Sequence, residues 1–421
     1  MKEGIKYLST LDNKNIIPGL ERISSLLSRM GDPQSRLRSI LVGGTNGKGS
    51  VASTLSSIMT EAGYKTGLYT SPHLERVTER IKIDGREIDE ESLSQIIMQV
   101  KRKGESHGIR LSYFETITAA SFLYFANEEV DFAILEVGMG GRWDATNVAS
   151  PIVTVITNVS IDHTRFLGST IPLISAEKAG IIRPGVPVVT GCRGSALRVV
   201  AGRAKELSSQ LHVLGRDFNV EGTHTNSFHY RGLLWNLSDL RFGLLGKYQL
   251  GNAAISICAI ERLALDGDIY IDEATLRRGL EKTRWGGRME FLRQSPPAIM
   301  DGAHNPAGAI ALRESLSEMF PGLKFTFLIA MSTEKDSKGF IKNLAPIAES
   351  IITTEFKGSG ARRAEELRDE ALGFVKDVVP IREAREAFTH AMALDTPICI
   401  TGSLYLIGEI KSHLSSQLRN E

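Results

Sequence analysis

The chain is short of the features that mark several common protein classes. Its 421 residues include only three cysteines, Cys192, Cys258 and Cys399. They lie far apart, without the spacing of a zinc site or a disulfide framework, so a reducing compartment fits. Neither sign of charge is in excess: 50 Lys and Arg against 49 Asp and Glu leave a formal net charge of +1. That balance argues against a polyanion-coating surface and hence against a nucleic acid partner. No apolar run approaches about 18 residues and no apolar segment follows a basic stretch at the start, so neither a membrane span nor a leader is expected, and the default location is the cytoplasm. Internal repeats, low-complexity tracts and long linkers are missing as well. What remains reads as a soluble globular chain with length for roughly two or three domains.

Also missing is the ordinary phosphate-loop spacing, in which Ser or Thr directly follows the lysine. The stretch Ser39-Ile40-Leu41-Val42-Gly43-Gly44-Thr45-Asn46-Gly47-Lys48-Gly49-Ser50 nevertheless reads as strand, glycine loop and helix, the helical pattern running from Val51 to Ala62. Glycines let backbone N–H groups curl around phosphate oxygens, a helix N-terminus adds partial positive charge, and a lysine reaches the outer phosphates. Lys48 is placed for that role. Gly49 separates it from Ser50.

Upstream, residues 17–30 carry a helical apolar spacing that ends at Gly31 and Pro33. Downstream, a strand from Thr66 to Tyr69 delivers Ser71 and His73 at its C-terminal end, where ligands collect in open α/β sheets. Ser71 equally suits a cap before Pro72. Helices are expected over Glu91–Lys103 and Phe114–Asn127, then a buried strand Asp131–Val137 carrying Glu136 near its end. A carboxylate there is either a solvated cap or, beside a phosphate loop, a Mg²⁺ ligand. The strand Ile152–Thr157 leads to His163, a satisfied hydrogen-bonding residue or a ligand. Lys178, near a helix end before the strand Val186–Thr190, is by itself an ordinary C-terminal-turn lysine. A helix over 195–207, a β-like flap over 211–246 and helices Tyr248–Leu265 and Glu273–Lys282 follow. A junction falls at Trp285-Gly286-Gly287-Arg288 and Ser295-Pro296-Pro297. Beyond it, strands Ala298–Met300, Lys324–Ala330, Ile351–Thr354 and Ile398–Thr401 alternate with helices over 306–319, 337–349, 364–375 and 383–394 and a final helix, a second and smaller α/β sheet. Its first strand delivers Asp301-Gly302-Ala303-His304-Asn305-Pro306.

Taken together, Gly44-Thr45-Asn46-Gly47-Lys48-Gly49-Ser50, Ser71-Pro72-His73-Leu74, Glu136 to Arg142, Asp144-Ala145-Thr146-Asn147, Asp162-His163-Thr164, Glu177-Lys178-Ala179-Gly180-Ile181, Gln249 to Asn252, Trp285 to Glu290, Asp301 to Asn305 and Gly402-Ser403-Leu404-Tyr405 closely resemble the folylpolyglutamate synthase and dihydrofolate synthase family of the Mur ligase superfamily. The displaced serine is that superfamily's own phosphate-loop form. The resemblance spans residues 18 to 409. It implies a P-loop mononucleotide-binding N-terminal domain with a small β-rich flap (1–287) and a smaller Rossmann-like α/β C-terminal domain for the amino acid (296–421).

The implied reaction is ATP-dependent amide ligation. A substrate carboxylate attacks the γ-phosphate, and an amino acid amine displaces phosphate from the resulting acyl phosphate. The implied acceptors are dihydropteroate and reduced folates, both used, with L-glutamate as the amine. A monofunctional folylpolyglutamate synthase and a Mur-type cell-wall ligase are the alternatives. Pro18 to Arg22, Ser71-Pro72-His73 and the mere 38 or so residues before the first strand favour the folate branch. No Asn-Lys-x-Asp guanine-reading motif supports a GTPase-like switch.

Residue by residue, the resemblance makes Gly47, Lys48, Gly49 and Ser50 the phosphate cradle. Ser71, Glu136 and His163 become ligands of Mg²⁺, as two ions. Lys178 becomes a carbamylated lysine, Asn252, Arg288 and Asp301 further ATP contacts, and His304 a neighbour of the acyl phosphate or incoming amine. It also implies a monomer. Trp143 and Ser160 depart from the commonest pattern, in which smaller or apolar residues stand.

Overall fold

A computed structural model describes residues 2–11, 18–358 and 360–417. Ile17, the first residue of the expected entry helix, lies outside them. The main sheet holds eight strands: β1 (Ser39–Gly43), β2 (Thr66–Tyr69), β3 (Ile81–Ile83), β4 (Arg86–Glu87), β5 (Phe132–Glu136), β6 (Pro151–Ile156), β7 (Val188–Thr190) and β8 (Leu211–Val213). Their order is β4-β3-β2-β5-β1-β6-β7-β8, parallel from β2 to β8 with β3 and β4 antiparallel at one edge.

Parallel strands flanked by helices are buried on both faces, so they read as unbroken apolar runs. β1 does so: Ile40 and Val42 join one core and Leu41 the core on the opposite face. Its register places the end of β1 between β5 and β6, with Val42 opposite Glu136 on one side and Val155 on the other. The carboxyl ends of β2, β5, β1 and β6 thus line up along one edge of the sheet.

β9 (Asn219–His224), β10 (Ser227–Arg231) and β11 (Asn236–Leu240) form a three-stranded antiparallel sheet. β10 alternates exposed and buried residues, as a one-sided sheet must. Beneath it, the fully buried Glu261 of the helix Tyr248–Leu265 accepts from the Tyr230 hydroxyl (2.6 Å) and from the backbone N–H groups of Leu233, Leu234 and Trp235 (2.9, 2.9 and 2.7 Å). The expected flap over 211–246 is therefore only partly a flap, because β8 belongs to the main sheet.

The third sheet contains β12 (Glu290–Arg293), β13 (Ala298–Met300), β14 (Phe325–Ile329), β15 (Ala348–Glu355), β16 (Val378–Glu383) and β17 (Ile398–Thr401), in the order β12-β13-β17-β14-β15-β16. Only β12 is antiparallel to its neighbour. β12 and β16 were not expected from the sequence, nor was the helix Glu3–Thr10. The helix expected over 337–349 ends at Leu344, and Pro346 sits in a single 3₁₀ turn before β15 begins at Ala348. The helix expected over 17–30 starts only at Glu21, after Gly19 with φ +125°. Among the described residues no helix is long and apolar enough to cross a membrane.

Candidate active site

The loop after β1 owes its shape to its glycines. Gly44 has φ +137°, and a Cβ there would lie 1.9 Å from Thr157 Oγ1; Gly47 has φ +84° and caps the helix Lys48–Glu61. The helix thus begins three residues earlier than the apolar pattern suggests, with Lys48 at its first position. The end of β6 braces the loop: the Thr45 and Asn46 N–H groups donate to Asn158 O (2.8 Å) and Oδ1 (3.0 Å), and Thr157 Oγ1 donates to Asn46 O (2.7 Å). Gly49 is a glycine for a separate reason. A Cβ there would stand 2.7 Å from the Trp285 ring, so the indole closes over the start of the helix.

This loop forms one wall of a cleft of about 640 Å³ between the main sheet and the third sheet, within the range of small-molecule sites. Of the residues singled out in the sequence, Gly47, Lys48, Gly49, Ser71, Glu136, His163, Lys178, Arg288 and His304 line it. Three stand behind the wall. Ser50 is buried and its Oγ accepts from Gln249 Nε2 (3.3 Å), while Asn252 donates to Gln249 Oε1 (2.8 Å). Asp301 is buried, accepting from Tyr248 Oη (2.8 Å), Met289 N (3.1 Å) and Ala303 N (2.9 Å). Met289 has φ +46°, a left-handed conformation that a non-glycine adopts at a cost of about 1–2 kcal/mol. The Asp301 bond holds that kink, which fixes the backbone from which Arg288 enters the cleft.

Burial shifts three ionisable groups that line the cleft, Glu136, Lys178 and His163. Burial raises the Glu136 carboxyl above the usual range, and the Lys48 ammonium partly offsets this; one of its oxygens accepts from Ser71 N (3.0 Å). Lys178 is 4% exposed, and burial together with the Lys48 charge brings its amine down to about 7. Its Nζ donates to Gly44 O at 2.7 Å. Burial and then the Lys335 ammonium lower His163 to about 4, which leaves its imidazole neutral at neutral pH.

The residue that ties the cleft together has no role assigned by its sequence neighbours. Asp162 is 8% exposed; its Oδ1 accepts from Lys335 Nζ and its Oδ2 from Asn305 Nδ2 (3.0 Å), with His304 Nε2 at 3.6 Å. Burial alone would raise its carboxyl, but His304, Lys335 and His163 override that and hold it far below the usual carboxylate range. Asn305 also exchanges two hydrogen bonds with Asn46 of the glycine loop, at 3.0 and 3.2 Å. Lys335, His304 and Asn305 all come from loops at carboxyl ends of the third sheet, so this hub joins the two walls. Asp162 and Asn305 lie inside family motifs, and only their contacts reveal the hub. Trp285 likewise stands in a motif, but nothing local links it to Gly49. Arg80 is a further addition. It lines the cleft, donates to His73 Nδ1 (2.9 Å) and lies 5.4 Å from the Tyr113 ring centre.

Ser71, Glu136 and His163 present an oxygen, a carboxylate and a neutral imidazole to one cleft, a donor set suited to a hard divalent cation near phosphate. Glu136 spends one carboxylate oxygen on Ser71 N and has a second to offer. The residues therefore fit the metal that the resemblance implies. No group of three or more His, Cys, Asp or Glu arranged to hold a metal occurs among the described residues, so a cation here would draw on the serine and on substrate phosphate.

A glycine loop at the carboxyl edge of one parallel sheet, facing a second α/β sheet across a cleft lined with lysine, arginine and histidine, is the build of an ATP-dependent Mur-type ligase. Family models agree. Residues 42–260 match the Mur ligase middle domain and residues 289–414 the dihydrofolate synthetase C-terminal domain. The dihydrofolate synthase/folylpolyglutamate synthase of Bacillus subtilis (strain 168) is 36% identical over 94% of this chain and 95% of its own length. The structure of Mycobacterium tuberculosis folylpolyglutamate synthase complexed with ADP superposes with a TM-score of 0.91 at 31% identity, covering 97% of each chain. That of the Yersinia pestis bifunctional enzyme complexed with AMPPNP and Mn ion gives 0.88 at 29%, covering 98% and 97%. The chain belongs to the dihydrofolate synthase/folylpolyglutamate synthase family of ATP-dependent ligases.

Proposed function

We propose that the chain adds L-glutamate both to dihydropteroate and to reduced folates. Residues 1–287 would carry ATP and the acceptor, and residues 296–421 the glutamate. The observation that carries this reading is the convergence, in a single cleft, of the glycine loop, Glu136, His163 and Lys178 from one wall with Arg288 and His304 from the other. The bifunctional name of the Bacillus subtilis relative supports two acceptors, and the ADP and AMPPNP–Mn complexes of relatives support ATP and a divalent ion.

In this reading Gly47, Gly49 and Ser50 offer backbone N–H groups to the phosphates, Lys48 and Arg288 neutralise charge on the γ-phosphoryl group, and Asn252 and Asp301 hold the surrounding loops. Ser71, Glu136 and His163 would hold Mg²⁺, which when bound would withdraw charge from the phosphate oxygens. The acceptor carboxylate oxygen forms a bond to the γ-phosphorus as ADP leaves. The glutamate nitrogen then attacks the acyl carbon and inorganic phosphate leaves. His304, with Nδ1 donating to Gly302 O (2.9 Å) and Nε2 facing Asp162, borders the cleft where the acyl phosphate meets the incoming amine. Holding acyl phosphate and amine together contributes roughly 7 to 11 kcal/mol.

Lys178 is the carbamate candidate. Its neutral amine would add to carbon dioxide, forming an N–C bond and releasing one proton, which would place a carboxylate on the wall of the cleft that Lys178 lines. The protein incubated with ATP, Mg²⁺ and glutamate is expected to release phosphate on addition of dihydropteroate and also of a reduced folate. Release with reduced folates alone would make it a monofunctional polyglutamate synthase. Release only with a UDP-muramyl acceptor would overturn the folate reading.

A further inference from the structure

Lys335 enters the cleft from the loop after β14, on the wall opposite His163, and its side chain is only 13% exposed. Its ammonium donates to Asp162 Oδ1 and lies 3.3 Å from His163 Nε2. An ammonium has protons to give and no lone pair to accept one. The contact therefore requires the lone pair of Nε2, the same lone pair a metal ion would use. Asp162 keeps the ammonium there: its other oxygen is taken by Asn305, and the His304 and His163 edges stand farther off at 3.6 and 3.9 Å.

We infer that Lys335 and the divalent cation compete for His163 Nε2, so that metal loading requires the Lys335 ammonium to leave the imidazole while its pair with Asp162 stays. The inference rests on the ligand set proposed above. Lys335 is then a positioning residue. In the metal-free enzyme it holds the His163 ring toward the cleft and ties the two walls through Asp162, and it sets how tightly the cation binds.

The test is Mn²⁺ binding to the full chain in the presence of a non-hydrolysable ATP analogue, followed by electron paramagnetic resonance. Lys335→Met is expected to bind Mn²⁺ about tenfold more tightly, the range expected from losing one charged hydrogen bond. In the metal-free state the same variant should move the ¹⁵N resonance of His163 Nε2, a direct sign of the lost contact. His163→Ala should weaken Mn²⁺ binding. Unchanged Mn²⁺ affinity in folded Lys335→Met, with the normal loss in His163→Ala, would overturn the competition alone. Undiminished binding in His163→Ala would overturn the ligand set and the inference with it.

Discussion

Burying an amine is unfavourable unless it is neutral or paired, and Lys178 donates to the Gly44 carbonyl at 2.7 Å. Its folded pKa of about 7 lies below the value near 10.4 of an unfolded lysine. The unfolded chain therefore binds more protons between those values, and stability must rise with pH across that window. In CO₂-free buffer, urea denaturation of the wild type should gain stability relative to Lys178→Met as pH climbs from 7 toward 10. At pH 7 the variant should be the more stable by a few kcal/mol, since each tenfold drop in proton affinity on folding costs about 1.4 kcal/mol. Catalysis should run the other way: Lys178→Ala should lose about 100-fold or more in kcat, with partial recovery on adding short-chain carboxylic acids. No recovery would leave Lys178 a structural residue. At the same scale, Gly49→Ala would press a methyl into the Trp285 ring. It should raise the KM for ATP and lower stability by about 1–3 kcal/mol, read by thermal melts.

Secondary elements show what the sequence could and could not disclose. β1, β5 and β6 stood out because strands buried on both faces are unbroken apolar runs, and the glycine loop because its backbone conformations need glycine. The strand ends beside Ser71 and Glu136 followed from that, while His163 comes from the loop beyond β6. β12 and β16 stayed hidden at sheet edges: β12 is only partly buried and β16 carries a proline and charged residues, so neither has an apolar signature. The short hairpin β3–β4 was missed for the same reason. Asp162, Lys335 and Trp285 act through partners more than a hundred residues away, and spacing in one dimension carries no trace of those contacts. The flap makes a prediction at this scale. Glu261→Ala would strip the acceptor from three backbone N–H groups and the Tyr230 hydroxyl. It should lower the unfolding free energy by about 3 kcal/mol or more in urea titrations, while the KM for glutamate stays unchanged.

Across the whole molecule, the two walls meet through a few polar and close-packed contacts. Asn305 bridges Asn46 and Asp162, so Asn305→Ala should loosen the cleft: kcat/KM for ligation should fall about tenfold or more while the chain remains folded, because misplacing reacting groups by about 1 Å is enough to slow such chemistry. A second contact lies along the helix Leu404–Gln417. A Cβ on Gly408 would sit 2.0 Å from the Leu74 carbonyl oxygen, and Ser415 Oγ donates to Glu75 Oε1 (3.2 Å). Ser403, Leu404 and Tyr405 at the other end line the cleft. Gly408→Ala should therefore push the segment 71–76 away and raise the KM for the acceptor.

The same helix bears on how far the chain can be shortened. One rod carries cleft residues at its head and props the segment after Ser71 along its flank, so its tail supports the cleft wall. A deletion that removes the chain from Lys411 onward also cuts the Lys411–Glu290 ion pair (2.7 Å). It should behave as a substrate-binding defect before it behaves as a folding defect.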